Sequence, residues 1–139
     1  MKSELGCVFC SIKDCDIIEE GKHWKVILDR FPVSKGHSLV ISKRHVETWF
    51  DLASHEQSEL NFMIDKRQFE LNKVFQPDGY NVGFNAGEAA GQTVFHCHIH
   101  IIPRYTKDVF DPAGGIRGVI PMHKNYTKTP ILDVHDGVV

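Results

Sequence analysis

Val94-Phe95-His96-Cys97-His98-Ile99-His100-Ile101-Ile102 is the stretch that decides how this chain is read. Its β-branched and aromatic residues favour extended backbone, and Pro103 stops the run, so a strand is predicted. Side chains at alternate positions of a strand share a face. His96, His98 and His100 therefore line one surface, while Phe95, Cys97, Ile99 and Ile101 line the other. An imidazole near neutral pH can serve as nucleophile, acid, base or metal ligand. A histidine-rich face turned to solvent is the plain alternative, but apolar residues at every intervening position favour a chemical role. One metal shared by all three rings fits poorly. His96 and His100 stand about 13 Å apart at the backbone, whereas a zinc–nitrogen bond spans about 2 Å. The three rings are expected to have separate tasks.

Just upstream, Asn85-Ala86-Gly87-Glu88-Ala89-Ala90-Gly91-Gln92-Thr93 supplies small residues with amide and hydroxyl donors. Small residues let backbone approach a ligand closely, and N–H groups in such turns cradle anions. Gly and Asn are also ordinary turn residues. Joined to the histidine face, the loop reads as a phosphate approach to a nucleophile.

His96-Cys97-His98-Ile99-His100-Ile101-Ile102, with Ala90-Gly91-Gln92-Thr93-Val94 before it and Pro103-Arg104-Tyr105 after, resembles the signature of the histidine triad (HIT) family. Lys35-Gly36-His37-Ser38-Leu39-Val40-Ile41-Ser42-Lys43-Arg44-His45 is similar to the family's upstream strand, and the likeness runs from about Cys7 to Arg104. Cys97 is a tolerated variation, since that position needs only a small apolar side chain. The resemblance implies a nucleotide hydrolase or transferase in which His98 attacks the α-phosphorus and carries a transient nucleotidyl group. His100 would contact the phosphate or leaving group. Asn85, Gln92 and Thr93 match positions that donate hydrogen bonds to phosphate oxygens, and His37 matches a further active-site histidine. Asp29 matches an acid that accepts from ribose hydroxyls, while Val8, Phe9, Ile12 and Ile27 match apolar positions that sandwich the base. Apolar residues beside a strand are also ordinary core.

The chain has four cysteines, at 7, 10, 15 and 97. No basic-plus-apolar leader and no membrane-length apolar run stands out, so a cytoplasmic location without a membrane partner is expected. There a Cys-x-x-Cys is more often a metal or redox pair than a disulfide. A thioredoxin-like role would want the pair opening a helix in a βαβ unit, which the pattern lacks. Two thiolates need two further ligands for a tetrahedral zinc site. The resemblance supplies them: Cys7, Cys10, His45 and His96 would form a closed, structural zinc site. Unpaired thiols are the alternative.

The rest of the 139-residue chain reads as one domain, residues 1–129, with a loose tail at 130–139. A hydrophobic content of 42%, a charged content of 24% and a formal net charge of −2 are ordinary for a globular protein. They give no basic field for duplex nucleic acid. Trp24–Asp29 and Ser38–Ile41 read as strands. Ser54-His55-Glu56-Gln57 reads as a capping box opening a helix to about Phe75. Leu60, Ile64 and Leu71, with Met63 and Val74, should pack on the sheet. Tyr80–Asn85 returns as a strand before the triad. The order argues for α+β with an antiparallel sheet. The resemblance extends this to a HIT-like fold of about five strands and one long helix, in a homodimer with joined sheets. Leu52, Phe62, Phe69 and Phe75 lie off the core stripe and offer a second apolar face for that dimer. They would otherwise simply widen the core contact.

Asp111-Pro112-Ala113-Gly114-Gly115-Ile116-Arg117 is similar to a family segment that often carries a basic residue where this chain has Ala113. Arg117 would contact a distal phosphate, a base or a dimer partner, or else sit in a solvated loop. Residues around Arg117 or Tyr126 could also be lent to the partner's site. The functional expectation is a small-molecule nucleotide substrate, foremost a diadenosine polyphosphate. Nucleoside phosphoramidates or adenylated small molecules are the alternatives, as is a zinc-stabilised nucleotide-binding scaffold with little turnover.

Overall fold

The computed structural model describes residues 5–125. Five strands, β1 (Glu19–Glu20), β2 (Trp24–Leu28), β3 (Ser38–Ser42), β4 (Gly79–Gly83) and β5 (His98–Arg104), and one long helix, α1 (Ser54–Phe75), carry the fold. The sheet order is β1-β2-β3-β5-β4, antiparallel throughout. This is the α+β architecture expected from the sequence; β1, only two residues long, has no sequence signal.

The two faces of the sheet have different tasks. Trp24, Val26, Val40, Ile99 and Ile101 pack with Leu60, Met63 and Leu71 of α1 in the main core. Ile27, Leu39 and Ile41 form a smaller cluster on the opposite face, joined by Phe9, Ile12 and Ile17. Leu39 pairs with His100 and Ile41 with His98, so both histidines stand on this helix-free face. The helix buries one face and leaves the other for a ligand.

Helix α1 begins one residue earlier than a capping box at Ser54 requires. Ala53 is its N-cap, and Glu56 supplies the reciprocal half by accepting from the Ala53 N–H at 2.9 Å. Glu56 is buried and also holds the Arg44 guanidinium at 2.7 Å. Leu60, Met63 and Leu71 are buried as expected, but Val74 is exposed. Leu52 belongs to the core rather than to an outer face, while Phe62 and Phe69 are exposed. Gln76 closes the helix in the left-handed region, at φ 49°.

The triad strand is shorter and shifted. Strand β5 starts at His98, so His96 precedes it and does not share the His98–His100 face. Phe95 is exposed rather than core. Pro103 lies inside β5 and pairs with Tyr80 of β4. Strand β3 has already ended, its last pair being Ser38 with Ile101, so the missing proline N–H interrupts no ladder on that side.

The chain divides into two compact units, one up to Tyr105 and one from Thr106. In the second, short 3₁₀ turns at Gly115–Val119 and Pro121–His123 are tied by Arg117, which donates to the carbonyls of Lys124 at 3.2 Å and His123 at 2.8 Å. Tyr126 and the 130–139 segment lie outside the described residues. Among the described residues no helix is long and apolar enough to cross a membrane.

Candidate active site and metal-ligand cluster

A cavity of about 680 Å³ opens on the helix-free face. The residues expected to catalyse or bind all line it: His98 and His100 from β5, His37 and Asp29 at the β2–β3 link, Asn85, Gln92 and Thr93 from the glycine loop, Ile27 from β2, and Val8, Phe9 and Ile12 from the N-terminal segment. Residues far apart in sequence thus meet because β2, β3 and β5 are neighbours.

Hydrogen bonds fix where the imidazole protons sit. His98 Nδ1 lies 2.7 Å from the His96 carbonyl oxygen and can only donate to it, which leaves a lone pair on Nε2. Burial holds His98 below the ordinary imidazole range, partly offset by that hydrogen bond, so the neutral ring dominates at neutral pH. His37 Nδ1 accepts from the Val33 N–H at 3.1 Å, so the neutral His37 carries its proton on Nε2. That nitrogen is 2.9 Å from His100 Nδ1. His100 therefore accepts at Nδ1 and keeps its own proton on Nε2. Burial, reinforced by the neighbouring His98 and His37, pushes His100 down to about 4.

Asp29 Oδ2 is 3.4 Å from His37 Nε2, while Oδ1 accepts from the Phe31 N–H at 2.8 Å. Burial lowers His37 more than Asp29 raises it, so this contact joins a carboxylate to a neutral imidazole rather than forming an ion pair.

Gln92 is buried and its amide is fully engaged. Nε2 donates to the carbonyls of Glu47 at 2.7 Å and Val94 at 3.1 Å, and Oε1 accepts from the Gly87 N–H at 2.8 Å. In this arrangement the side chain braces the glycine loop. Asn85 and Thr93 are exposed on the cavity wall, their polar groups open to a ligand. Gly87 and Gly91, at φ 93° and 92°, give the loop a path that other residues rarely take.

A second cluster lies beside the first. Cys7, Cys10, His45 and His96 bring their ligand atoms within 4.8 Å of one another. Cys7 Sγ is 3.3 Å and Cys10 Sγ 3.5 Å from His96 Nδ1, Cys10 Sγ is 3.3 Å from His45 Nδ1, and the two Nδ1 atoms are 3.1 Å apart. Tetrahedral bonds of zinc length give ligand–ligand edges of about 3.3–3.8 Å, so the set fits such an ion. His96 Nε2 donates to the Ser42 carbonyl at 2.7 Å, leaving Nδ1 as a lone pair within the cluster. His96 is fully buried and pushed down to about 4, mainly by burial, so its ligating form prevails. A bound zinc would supply a closed structural cross-link between the N-terminal loop, the segment after β3 and the approach to β5. Cys97 takes no part: burial raises its thiol to about 12.

Sequence reasoning missed the Val33 N–H, the Ser42 carbonyl and the His96 carbonyl, which set the three tautomers. Backbone groups leave no signature in residue identity. Lys25 was also missed; it donates from Nζ to the Phe9 carbonyl at 2.8 Å.

The HIT domain model matches residues 11–107. The chain is 40% identical over 106 residues to Protein hit of Bacillus subtilis, covering 73% of each. It is 36% identical over 104 residues to the adenosine 5'-monophosphoramidase hnt1 of Schizosaccharomyces pombe, covering 72% of this chain and 75% of the relative. An AP-4-A phosphorylase of Mycobacterium tuberculosis is 33% identical over 93 residues, with 66% of this chain and 48% of that protein covered. Among solved structures, a HIT family protein of Bacillus anthracis matches at TM-score 0.70 and 38% identity, covering 76% and 78% of the two chains. A zinc-bound histidine triad family protein of Mycobacterium smegmatis matches at TM-score 0.68 and 33% identity, covering 76% and 80%.

Proposed function

This chain belongs to the HIT domain family, and from that premise we propose that it is a nucleotide hydrolase or nucleotidyl transferase working through a covalent nucleotidyl-His98. One observation carries the reading. His98 Nδ1 is committed to the His96 carbonyl, which leaves a neutral Nε2 lone pair in a cavity beside phosphate-type donors.

In the first step His98 Nε2 bonds to the α-phosphorus, and the bond from that phosphorus to the leaving group breaks. The leaving group departs with that bond's electron pair, its bridging oxygen accepting a hydrogen bond from His100 Nε2–H, while His37 holds His100 in that tautomer. In the second step water attacks the phosphorus and gives up its proton to the surrounding solvent. The phosphorus–nitrogen bond breaks and His98 regains its lone pair. Asn85 and Thr93 serve the phosphate oxygens, with Gln92 keeping their loop in place. Asp29 accepts from the ribose, and Val8, Phe9, Ile12 and Ile27 enclose the base.

A diadenosine polyphosphate is the favoured substrate, in keeping with the likeness to the AP-4-A phosphorylase of Mycobacterium tuberculosis. The Schizosaccharomyces pombe relative's name favours a second reading, a nucleoside phosphoramidate. The same chemistry serves both, because only the leaving group differs. Zinc on Cys7, Cys10, His45 and His96 belongs to this reading as a structural ion. So does a homodimer, supported by the edge position of β4 and the exposed Phe62 and Phe69 of α1. A cytoplasmic setting suits four cysteines that form no disulfide.

Intact-protein mass spectrometry after rapid alkaline quenching tests the mechanism. Wild-type protein given a panel of adenylated substrates should gain one nucleotidyl group, mapped to His98, with the fastest member naming the leaving-group class. Turnover with no adduct on any substrate, or an adduct that persists in His98→Ala, refutes it. Binding without turnover would favour the scaffold reading. Light scattering that gives one subunit's mass in active protein would refute the dimer.

A further inference from the structure

The metal-ligand cluster and the nucleophile share a side chain. Phe9 lies inside the Cys7–Cys10 loop, between the two thiols. Its ring meets His98 edge to face, with centroids 4.9 Å apart and planes at 67°. The same ring meets His96 at 5.9 Å and 86°. One aromatic group therefore touches both the ring that would attack and a ring that would ligate. The backbone is held from a third direction, because Lys25 Nζ on β2 donates to the Phe9 carbonyl at 2.8 Å. His96 and His98 are joined again through the His96 carbonyl, which accepts from His98 Nδ1.

These contacts make the position of Phe9 depend on the loop that carries it. Cys7 and Cys10 converge on the same His96 nitrogen. Bonds from both sulfurs to one ion would hold the loop, and with it the Phe9 ring against His98. Without them, the Lys25 contact still anchors the Phe9 carbonyl but leaves the ring free to move. We propose that Phe9 is a positioning residue that couples occupancy of the Cys7–Cys10–His45–His96 cluster to nucleotide binding at His98, with Lys25 clamping its backbone. The inference rests on the nucleotide reading of the cavity. Linkage makes the coupling reciprocal: whatever factor the metal adds to nucleotide affinity, the nucleotide must add to metal affinity.

That reciprocity gives a readout independent of turnover. Zinc-loaded, intact protein is equilibrated against a chromophoric chelator with and without saturating adenosine monophosphate. Nucleotide affinity is measured separately by calorimetry. Adenosine monophosphate should strengthen zinc retention by about fivefold or more, the lower end of ordinary site–site couplings. In Phe9→Leu, which keeps apolar bulk without the ring, the factor should fall towards one. The absorption spectrum of the cobalt-substituted protein should keep its tetrahedral form. Lys25→Met, which keeps the stem and removes the donor, should weaken the coupling in the same sense and serves if Phe9→Leu folds poorly.

Equal zinc retention with and without bound nucleotide in the wild type overturns the proposal while leaving the nucleotide reading intact. So does a Phe9→Leu protein that binds nucleotide less tightly but keeps the full factor, since Phe9 would then only pack the base. Failure of adenosine monophosphate to bind either form refutes the nucleotide reading, and the coupling with it. Failure to take up zinc also overturns the coupling.

Discussion

His37 Nε2 lies 2.9 Å from His100 Nδ1, and this contact orders the protons of two rings in series. The Val33 N–H occupies His37 Nδ1, so the His37 proton points to His100, and the His100 proton is left on its other nitrogen. Without the relay, His100 could place its only proton on Nδ1 and have none to offer a leaving group from Nε2. The same wiring disfavours a metal in the Asp29–His37–His100 group, although its ligand atoms are close. Coordination at His37 Nε2 would ordinarily require a proton on Nδ1, where the Val33 N–H already points.

Comparing a variant that can keep the donor with one that cannot tests this arrangement. His37→Gln can keep an N–H near His100, while His37→Ala cannot. Turnover should fall by roughly 10²–10³-fold in His37→Ala, the range for losing one oriented hydrogen-bond donor, and by clearly less in His37→Gln. Steady-state kinetics on one substrate decides it. Equal losses in both variants would remove the donor role.

His98 should be far less forgiving. The proposed nucleophilic role requires the Nε2 lone pair at this position, so His98→Ala should lose more than the roughly 10²–10⁴-fold of a proton-transfer group. Its fold should survive, because the lost ring faces the cavity rather than the helix-side core. Circular dichroism and turnover measured together check both halves. A variant that keeps a substantial fraction of wild-type rate would end the covalent mechanism.

Acid should destabilise the protein through the buried imidazoles. His100 is held down to about 4, chiefly by burial, whereas an unfolded histidine titrates near 6.5. Between these values the unfolded chain binds more protons, so stability present above about pH 6.5 is lost as pH falls towards 4. The contribution is on the order of a few kcal/mol for a group shifted this far. Thermal melts from pH 7 to pH 4 should show the decline, and His100→Asn should flatten it. An unchanged slope in that variant would assign the acid lability elsewhere.

The metal reading predicts about one zinc per chain with two sulfur and two nitrogen ligands. Cys10→Ser should lower the melting temperature sharply while permitting turnover at saturating nucleotide and a permissive temperature. Elemental analysis and X-ray absorption of protein prepared without chelators test the site. Absence of zinc would refute the occupancy.

Much of this architecture was legible because periodicity and burial agree. The span of α1 from Ser54 to Phe75 follows from its apolar spacing, and β2 and β3 follow from short β-branched runs. For His96, only its placement on the His98–His100 face was misread, because alternation could not reveal that the chain leaves the ladder before His98; its place in the metal-ligand set came from the family resemblance. Its side chain is drawn to Cys7, Cys10 and His45, residues distant in sequence. Pro103 was misread for the opposite reason: proline breaks a strand only where a neighbour needs its N–H, and β3 has ended there. The family resemblance marks Gln92 as a phosphate donor; here its amide protons go to two carbonyls that only the folded loop brings near.

Gly36 provides a test of how the site is attached to the helix. It has φ +88°, a region that side chains with a Cβ rarely adopt, and an added Cβ would lie 2.7 Å from Leu71 Cδ2 and 3.0 Å from Phe75 Cδ2. Leu71 is buried in the core and has little room to yield. Gly36→Ala therefore meets backbone strain and overpacking together, each costing about 1–3 kcal/mol. Because His37 follows directly, a shift of the turn should also disturb the Val33–His37 hydrogen bond and lower turnover in the folded fraction. Urea unfolding should show a reduced midpoint, and kinetics below that midpoint a reduced kcat. A variant as stable as wild type would mean the link tolerates a path that the Leu71 and Phe75 contacts exclude.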